Sequence, residues 1–166
     1  MEKEASILRE LDSEYNISGE IRRERRVWAT VDKQILVRAC NWAKRHGFEH
    51  LSAISVVDWV EKKNYELNYH LWSYRDRLLL PLKTRIDREH PIIDSVSHIW
   101  NKSAQIHERE IHELFGVIFE ANDDLAPLFL EDWQGLPPFR KDFNWREYVR
   151  REYYDPKNER ERVYYD

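Results

Sequence analysis

Glycine is scarce, with four residues in 166. That leaves no glycine-rich phosphate loop or dinucleotide turn, and no Walker, Rossmann or GxSxG pattern occurs. Cys40 is the single cysteine. One thiol builds no disulfide framework, four-cysteine zinc site or iron–sulfur cluster, and it suits a reducing compartment. No apolar run approaches the ~18–20 residues of a membrane span. The opening Met1-Glu2-Lys3-Glu4 has no apolar signal region. A soluble, cytoplasmic chain is expected, with a partner supplying any membrane anchor.

Charge is abundant. Charged residues make up 35% of the chain, above the usual ~25%, yet the net charge is only −4. Alternating signs at this density favour ion-pair networks and fit a thermophilic source. They fit nucleic acid poorly: acidic residues interrupt Arg22-Arg23-Glu24-Arg25-Arg26, whereas phosphate tracking needs a continuous positive stripe. The length suits one domain of roughly 100–200 residues.

Periodicity predicts the elements. Ile7, Leu8, Leu11 and Tyr15 define an amphipathic helix over 2–15, with Gly19 breaking the pattern. Residues 22–30 read as extended. Asp32 caps a helix over 33–46, with Ile35, Leu36, Ala39, Cys40 and Ala43 on its apolar stripe and Gly47 as its stop. Strands follow at 51–57, 65–74 and 78–86. Tyr65, Leu67, Tyr69 and Leu71 share one face, and Glu66, Asn68 and His70 the other. Pro81 suggests an edge or a bulge. Asp94 caps a short helix through Val96, Ile99 and Trp100; a second runs over 102–115 and ends at Gly116. A short strand at 117–119 and turn chemistry at Asn122-Asp123-Asp124 complete the core. The order indicates an α+β domain: an antiparallel meander packed with helices, over residues 1–142.

Beyond Pro137-Pro138 the character changes. Residues 143–166 contain no glycine but carry Phe143, Trp145, Tyr148, Tyr153, Tyr154, Tyr164 and Tyr165. Aromatics interleaved with arginine are typical interface anchors, so this segment reads as an extended C-terminal arm lying on another protein of a complex.

The stretch His107-Glu108-Arg109-Glu110-Ile111-His112 invites a zinc-hydrolase reading. Its histidines are five apart, about 140° around a helix, whereas metalloprotease histidines sit at i and i+4. His107 instead continues the stripe of Trp100, Ala104, Ile111 and Leu114 and is expected in the core, with Glu108 and His112 forming a local ion pair. Cys40 is expected as a buried packing residue.

One region is more specific. Glu108-Arg109-Glu110 leads into Phe115-Gly116-Val117, then Asp124-Leu125, Glu131-Asp132-Trp133-Gln134-Gly135 and Phe139-Arg140-Lys141-Asp142-Phe143. This ordered set resembles the 30-kilodalton-subunit family of respiratory complex I, also found in related membrane-bound hydrogenases and sulfur-reducing complexes. The departures favour the second group. Ala121-Asn122-Asp123-Asp124-Leu125 stands where the family has a G-H-P-D-L turn, and His112 stands where respiratory members often have Asp. The resemblance implies a non-catalytic subunit without its own cofactor or metal, at the cytoplasmic side of the membrane. It would brace a large catalytic subunit and a small iron–sulfur subunit, which hold the iron–sulfur clusters and, in the hydrogenase branch, a nickel–iron centre. The 30-kilodalton subunit of respiratory NADH:quinone oxidoreductase itself is the alternative. The residues that the resemblance marks are Glu108, Arg109, Glu110, Gly116, Asp132, Trp133, Gly135, Arg140, Lys141 and Asp142, with Trp145 and Tyr148 from the arm. Arg109 is placed to reach Glu113 one turn on, or a partner carboxylate.

Overall fold

The computed structural model describes residues 2–153. The expected arm is therefore described only to Tyr153, and Tyr154, Tyr164 and Tyr165 lie outside the described residues.

Helix α1 (Glu2–Tyr15) buries Ile7 and Leu11 and leads into a hairpin of β1 (Ser18–Arg23) and β2 (Arg26–Thr30). The extended segment read at 22–30 is thus parts of two strands, reversed at Arg25 with φ of 62°. Gly19 does not break the chain. It sits inside β1 opposite Ala29, where a Cβ would collide with the Leu8 side chain and the Trp28 carbonyl. Here glycine permits the close approach of α1 to the hairpin.

Asp32 accepts a hydrogen bond from the Gln34 amide at 2.8 Å and opens a 3-10 turn that runs into α2 (Leu36–Arg45). Gly47, at φ 92°, follows its end. The meander of β3 (His50–Trp59), β4 (Asn64–Ser73) and β5 (Leu78–Asp87) pairs antiparallel as expected. The hairpin then adds to the outer side of β5, with β2 parallel to it. The five-stranded sheet, in order β1-β2-β5-β4-β3, is therefore mixed.

This arrangement corrects the reading of Pro81. β5 is central, and its pairing with β4 runs without a bulge. The parallel ladder to β2 is formed at Arg26–Leu79, Ala29–Leu82 and Thr30–Lys83, so Pro81 falls in the gap between them, where its missing N–H is tolerated. On β4, Tyr65, Leu67, Tyr69 and Leu71 are fully buried in one cluster with Leu11, Leu36 and Trp42. Glu66, on the opposite face, is held by Arg85 at 2.9 Å and Lys83 at 3.3 Å.

The structure adds a second, two-stranded sheet. β6 (Ile92–Asp94) pairs parallel with β7 (Ile118–Glu120). Asp94 accordingly belongs to a strand; the helix that follows starts at an N-cap of Val96 without a side-chain cap, just after Ser95, whose Oγ accepts from the Ser97 amide at 3.0 Å. Helix α3 (Ser97–Phe115) is broken at Trp100 and Asn101, the latter at φ 46° and ψ −127°. The break separates the two helical stretches read from the sequence. Among the described residues no helix is long and apolar enough to cross a membrane.

Candidate partner-binding site

Four charged side chains of the core fasten the segment after β7. Glu108 is fully buried. It accepts from the Ser95 hydroxyl at 2.6 Å, the Val96 amide at 2.8 Å and Asn122 Nδ2 at 2.8 Å. Burial pushes its carboxyl above the ordinary value, against those three hydrogen bonds. It makes no pair with His112, whose Nδ1 donates to the Val117 carbonyl at 2.8 Å. His107 is not a core residue either: it is a quarter exposed, 3.9 Å from Glu110. The two histidines thus serve separate partners. The break at Trp100–Asn101 explains both corrections. It takes Trp100 out of phase with the rest of α3, and the inward stripe becomes Ala104, Glu108, Ile111.

Arg109 does not reach Glu113. Its Nε donates to the Ala126 carbonyl at 3.0 Å, its Nη2 to the Pro127 carbonyl at 3.0 Å, and its Nη1 lies 3.3 Å from Asp124. Glu113 turns to the same loop and accepts from the amides of Leu128, Phe129 and Leu130, the last at 2.6 Å. The helix thus grips residues 122–130 from both sides.

Arg88, after β5, supplies the fourth anchor. Buried at the end of the sheet, it donates to both Asp58 oxygens at 2.7 and 3.0 Å and to both Asp142 oxygens at 2.8 and 3.1 Å. Arg140 adds two bonds to Asp142 at 3.0 Å, and the Lys141 amide donates to Asp58 at 3.0 Å. Arg140, then Arg88, holds the Asp142 carboxyl well below the usual range. For Asp58, burial alone would raise the carboxyl, but Arg88 and the Lys141 amide outweigh it.

Gly116 ends α3 at φ 77°, its amide donating to the His112 carbonyl at 2.9 Å; a Cβ there would lie 2.9 Å from Pro137. Trp133 donates to the Leu136 carbonyl at 3.0 Å and meets Phe143 and Tyr148 with ring centroids 5.5 and 4.5 Å apart. Gly135 fits beneath that contact, where a Cβ would lie 3.3 Å from Tyr148. Tyr148 stands on α4 (Trp145–Glu152), which Asn144 caps by accepting from the Glu147 amide. The described start of the arm is therefore helical and folds back on its own chain.

The structure brings most of the marked residues into one unit: Glu108, Arg109, Gly116, Trp133, Gly135, Arg140, Lys141, Asp142 and Tyr148 all shape the segment after β7. Glu110 faces His107 instead, Asp132 is exposed, and the exposed Trp145 ring meets Arg146 beside it. Arg88 and Asp58 escaped sequence reasoning. Both are isolated charges at strand ends with no local pattern. Glu113 was read as the ion-pair partner of Arg109 one turn on, and its role as acceptor for the amides of 128–130 was missed. Among the described residues no group of three or more His, Cys, Asp or Glu could hold a metal.

The resulting unit is an α+β core with a long, polar-fastened C-terminal segment. The family model for the respiratory-chain NADH dehydrogenase 30 Kd subunit matches residues 29–149. The chain belongs to that family. It is 39% identical over 121 residues to the C subunit of F(420)H(2) dehydrogenase from Methanosarcina mazei, covering 71% of this chain and 75% of the relative. It is 33% identical over 110 residues to the C subunit of NADH-quinone oxidoreductase from Moorella thermoacetica, covering 66% and 74%. A chain in the solved structure of the membrane-bound sulfane sulfur reductase, an archaeal respiratory membrane complex, matches over 96% of both chains with TM-score 0.84 and 31% identity.

Proposed function

We propose that this chain is a non-catalytic subunit of the hydrophilic arm of a complex I-related membrane-bound oxidoreductase, of the archaeal hydrogenase or sulfane reductase type. It braces the large catalytic subunit and the small iron–sulfur subunit and holds no redox centre itself. The observation that carries this reading is the distribution of burial. Among the described residues Phe119 is the last buried side chain, and none of residues 121–153 is buried. A segment of that length, fixed in place yet without a fully buried side chain, is built to complete its packing on another protein.

The likeness along 96% of both chains to a chain of the sulfane reductase supports the archaeal branch. The single Cys40 supports the absence of an iron–sulfur cluster in this chain. One thiol falls short of the ligand set, and it is buried in the core, where burial, with Glu108 nearby, pushes it well above the ordinary value. Contact with the membrane would come through the partners, at the cytoplasmic side.

Affinity purification of the chain from its host in mild detergent, with metal analysis, tests the proposal. Recovery with an iron–sulfur protein and a large catalytic protein is expected. Nickel would assign the hydrogenase type; its absence, with the same membrane partners, the sulfane reductase type. Flavin-bearing NADH-oxidising proteins would move the chain to respiratory NADH:quinone oxidoreductase. Recovery of the chain alone would refute the subunit reading.

A further inference from the structure

A groove of about 350 Å³ opens between the end of α3 and the segment after β7. Its lining is apolar at Leu125, Pro127, Leu130, Trp133 and Pro137 and polar at His112 and Glu113. Two of the exposed large apolar side chains adjoin these walls in the chain: Phe129, 64% exposed, and Leu136, 54% exposed. The walls are held rigid by polar bonds. Glu113 fixes the amides of 128–130, Arg109 fixes 124–127, and Trp133 is bonded to Leu136.

The charge carried by the wall segment is of one sign. Residues 117–139 contain Glu120, Asp123, Asp124, Glu131 and Asp132 and no lysine, arginine or histidine. Five acidic residues in this stretch exceed the net charge of −4 carried by the whole chain. Asp124 is compensated by Arg109, but Asp123, Glu131 and Asp132 are exposed, and Glu131 and Asp132 lie between the wall residues Leu130 and Trp133. A largely apolar groove whose flanking chain carries exposed carboxylates selects for apolar anchors flanked by cations, since such charges steer encounter and reject like-charged partners.

We propose that this groove receives a segment of a partner subunit in which an apolar side chain is flanked by lysine or arginine. The inference rests on the proposed subunit role and specifies where and by what chemistry the partner is held.

The test places the photo-crosslinking residue p-benzoylphenylalanine at Phe129, and separately at Leu136, in the full chain within the intact complex. Both positions are exposed, so folding is preserved. Both are expected to crosslink to one and the same partner segment, carrying lysine or arginine beside an apolar residue. Adding Glu131→Lys and Asp132→Lys should lower the crosslink yield by about tenfold at low ionic strength, with the difference shrinking in high salt. Crosslinks to residues 154–166 of the same chain, to a second copy of this chain, or to a neutral or acidic segment would overturn the proposal. So would an absence of crosslinks from a complex that retains the chain. A chain that enters no complex would refute the subunit role itself, and the groove's partner with it.

Discussion

Up to Phe119 the chain buries Trp42, Tyr65, Tyr69, Phe48 and a full set of aliphatic side chains between one sheet and three helices. From residue 121 to 153 it buries none, and Phe129, Leu136, Phe139, Trp145 and Tyr153 are exposed. The first region is held by apolar burial, at roughly 1.5–3 kcal/mol for each large side chain removed from water. The second is held by Glu108, Arg109, Glu113 and Arg88, four charged groups of the first region that grip its backbone, Asn122 and Asp142. Directional bonds fix shape without full burial: Leu125 packs on the core only in part, and Trp133, Phe143 and Tyr148 pack on one another. The difference separates the part that folds from the part that presents a surface.

Cutting the joint between the two regions should give the largest effect. Arg88→Met leaves Asp58 buried without its cation and releases Asp142 as well. A loss of about 3–5 kcal/mol is expected in denaturant unfolding. A loss below about 1 kcal/mol would show that the network is not what joins them.

Glu113→Ala should act on one region only. Removing the acceptor of three amides is expected to cost about 1–2 kcal/mol. Hydrogen exchange should speed up at Leu128, Phe129 and Leu130 and stay unchanged in β4 and β5. Uniform loss of protection would contradict the separation.

The joint should also be acid-sensitive. Asp58 and Asp142 have folded values below the ordinary 3.8. Their contribution is complete above that value and is lost as pH falls through the folded ones. Glu108 works in the opposite direction. Its folded value lies above the ordinary 4.5, so its contribution declines as pH rises from there through the raised value. The stability difference between wild type and Asp142→Asn should be constant near neutrality and shrink below about pH 4. A difference that stays flat into acid would show that the Asp142 bridges do not depend on its charge.

The smallest effect on stability is expected from Phe129→Ser, within about 0.5 kcal/mol by thermal unfolding, because the ring is mostly exposed. The same substitution should weaken retention in the complex. Marked destabilisation of the isolated chain would mean that the ring serves the fold.

The apolar periodicity of α1, α2 and the meander was legible in the sequence, as were the two helical stretches on either side of Asn101 and the stop at Gly116. These are local signals: spacing, a cap, a left-handed glycine. Reading failed where partners are distant in sequence. Gly19 looked like a breaker because Leu8 and Trp28 meet only in the fold. Pro81 looked like an edge because nothing local shows that a hairpin joins β5 on its far side. In α3, the phase of the inward stripe depends on a backbone break that the side-chain pattern does not display, so His107 and Glu108 exchanged places. Arg109 and Glu113 were read as partners one turn apart, whereas unsatisfied amides and carbonyls of the next loop drew both away. Arg88 and Asp142 lie far apart in sequence, and no spacing rule joins them.

If residues 121–153 complete their packing on partner subunits, the change should be visible in hydrogen exchange of the isolated chain compared with the chain in its purified complex. Added protection is expected to concentrate in residues 121–153, with β4 and β5 unchanged. Equal exchange of that segment in both states, or added protection confined to the five-stranded sheet, would show that the segment is not the surface on which the partners pack.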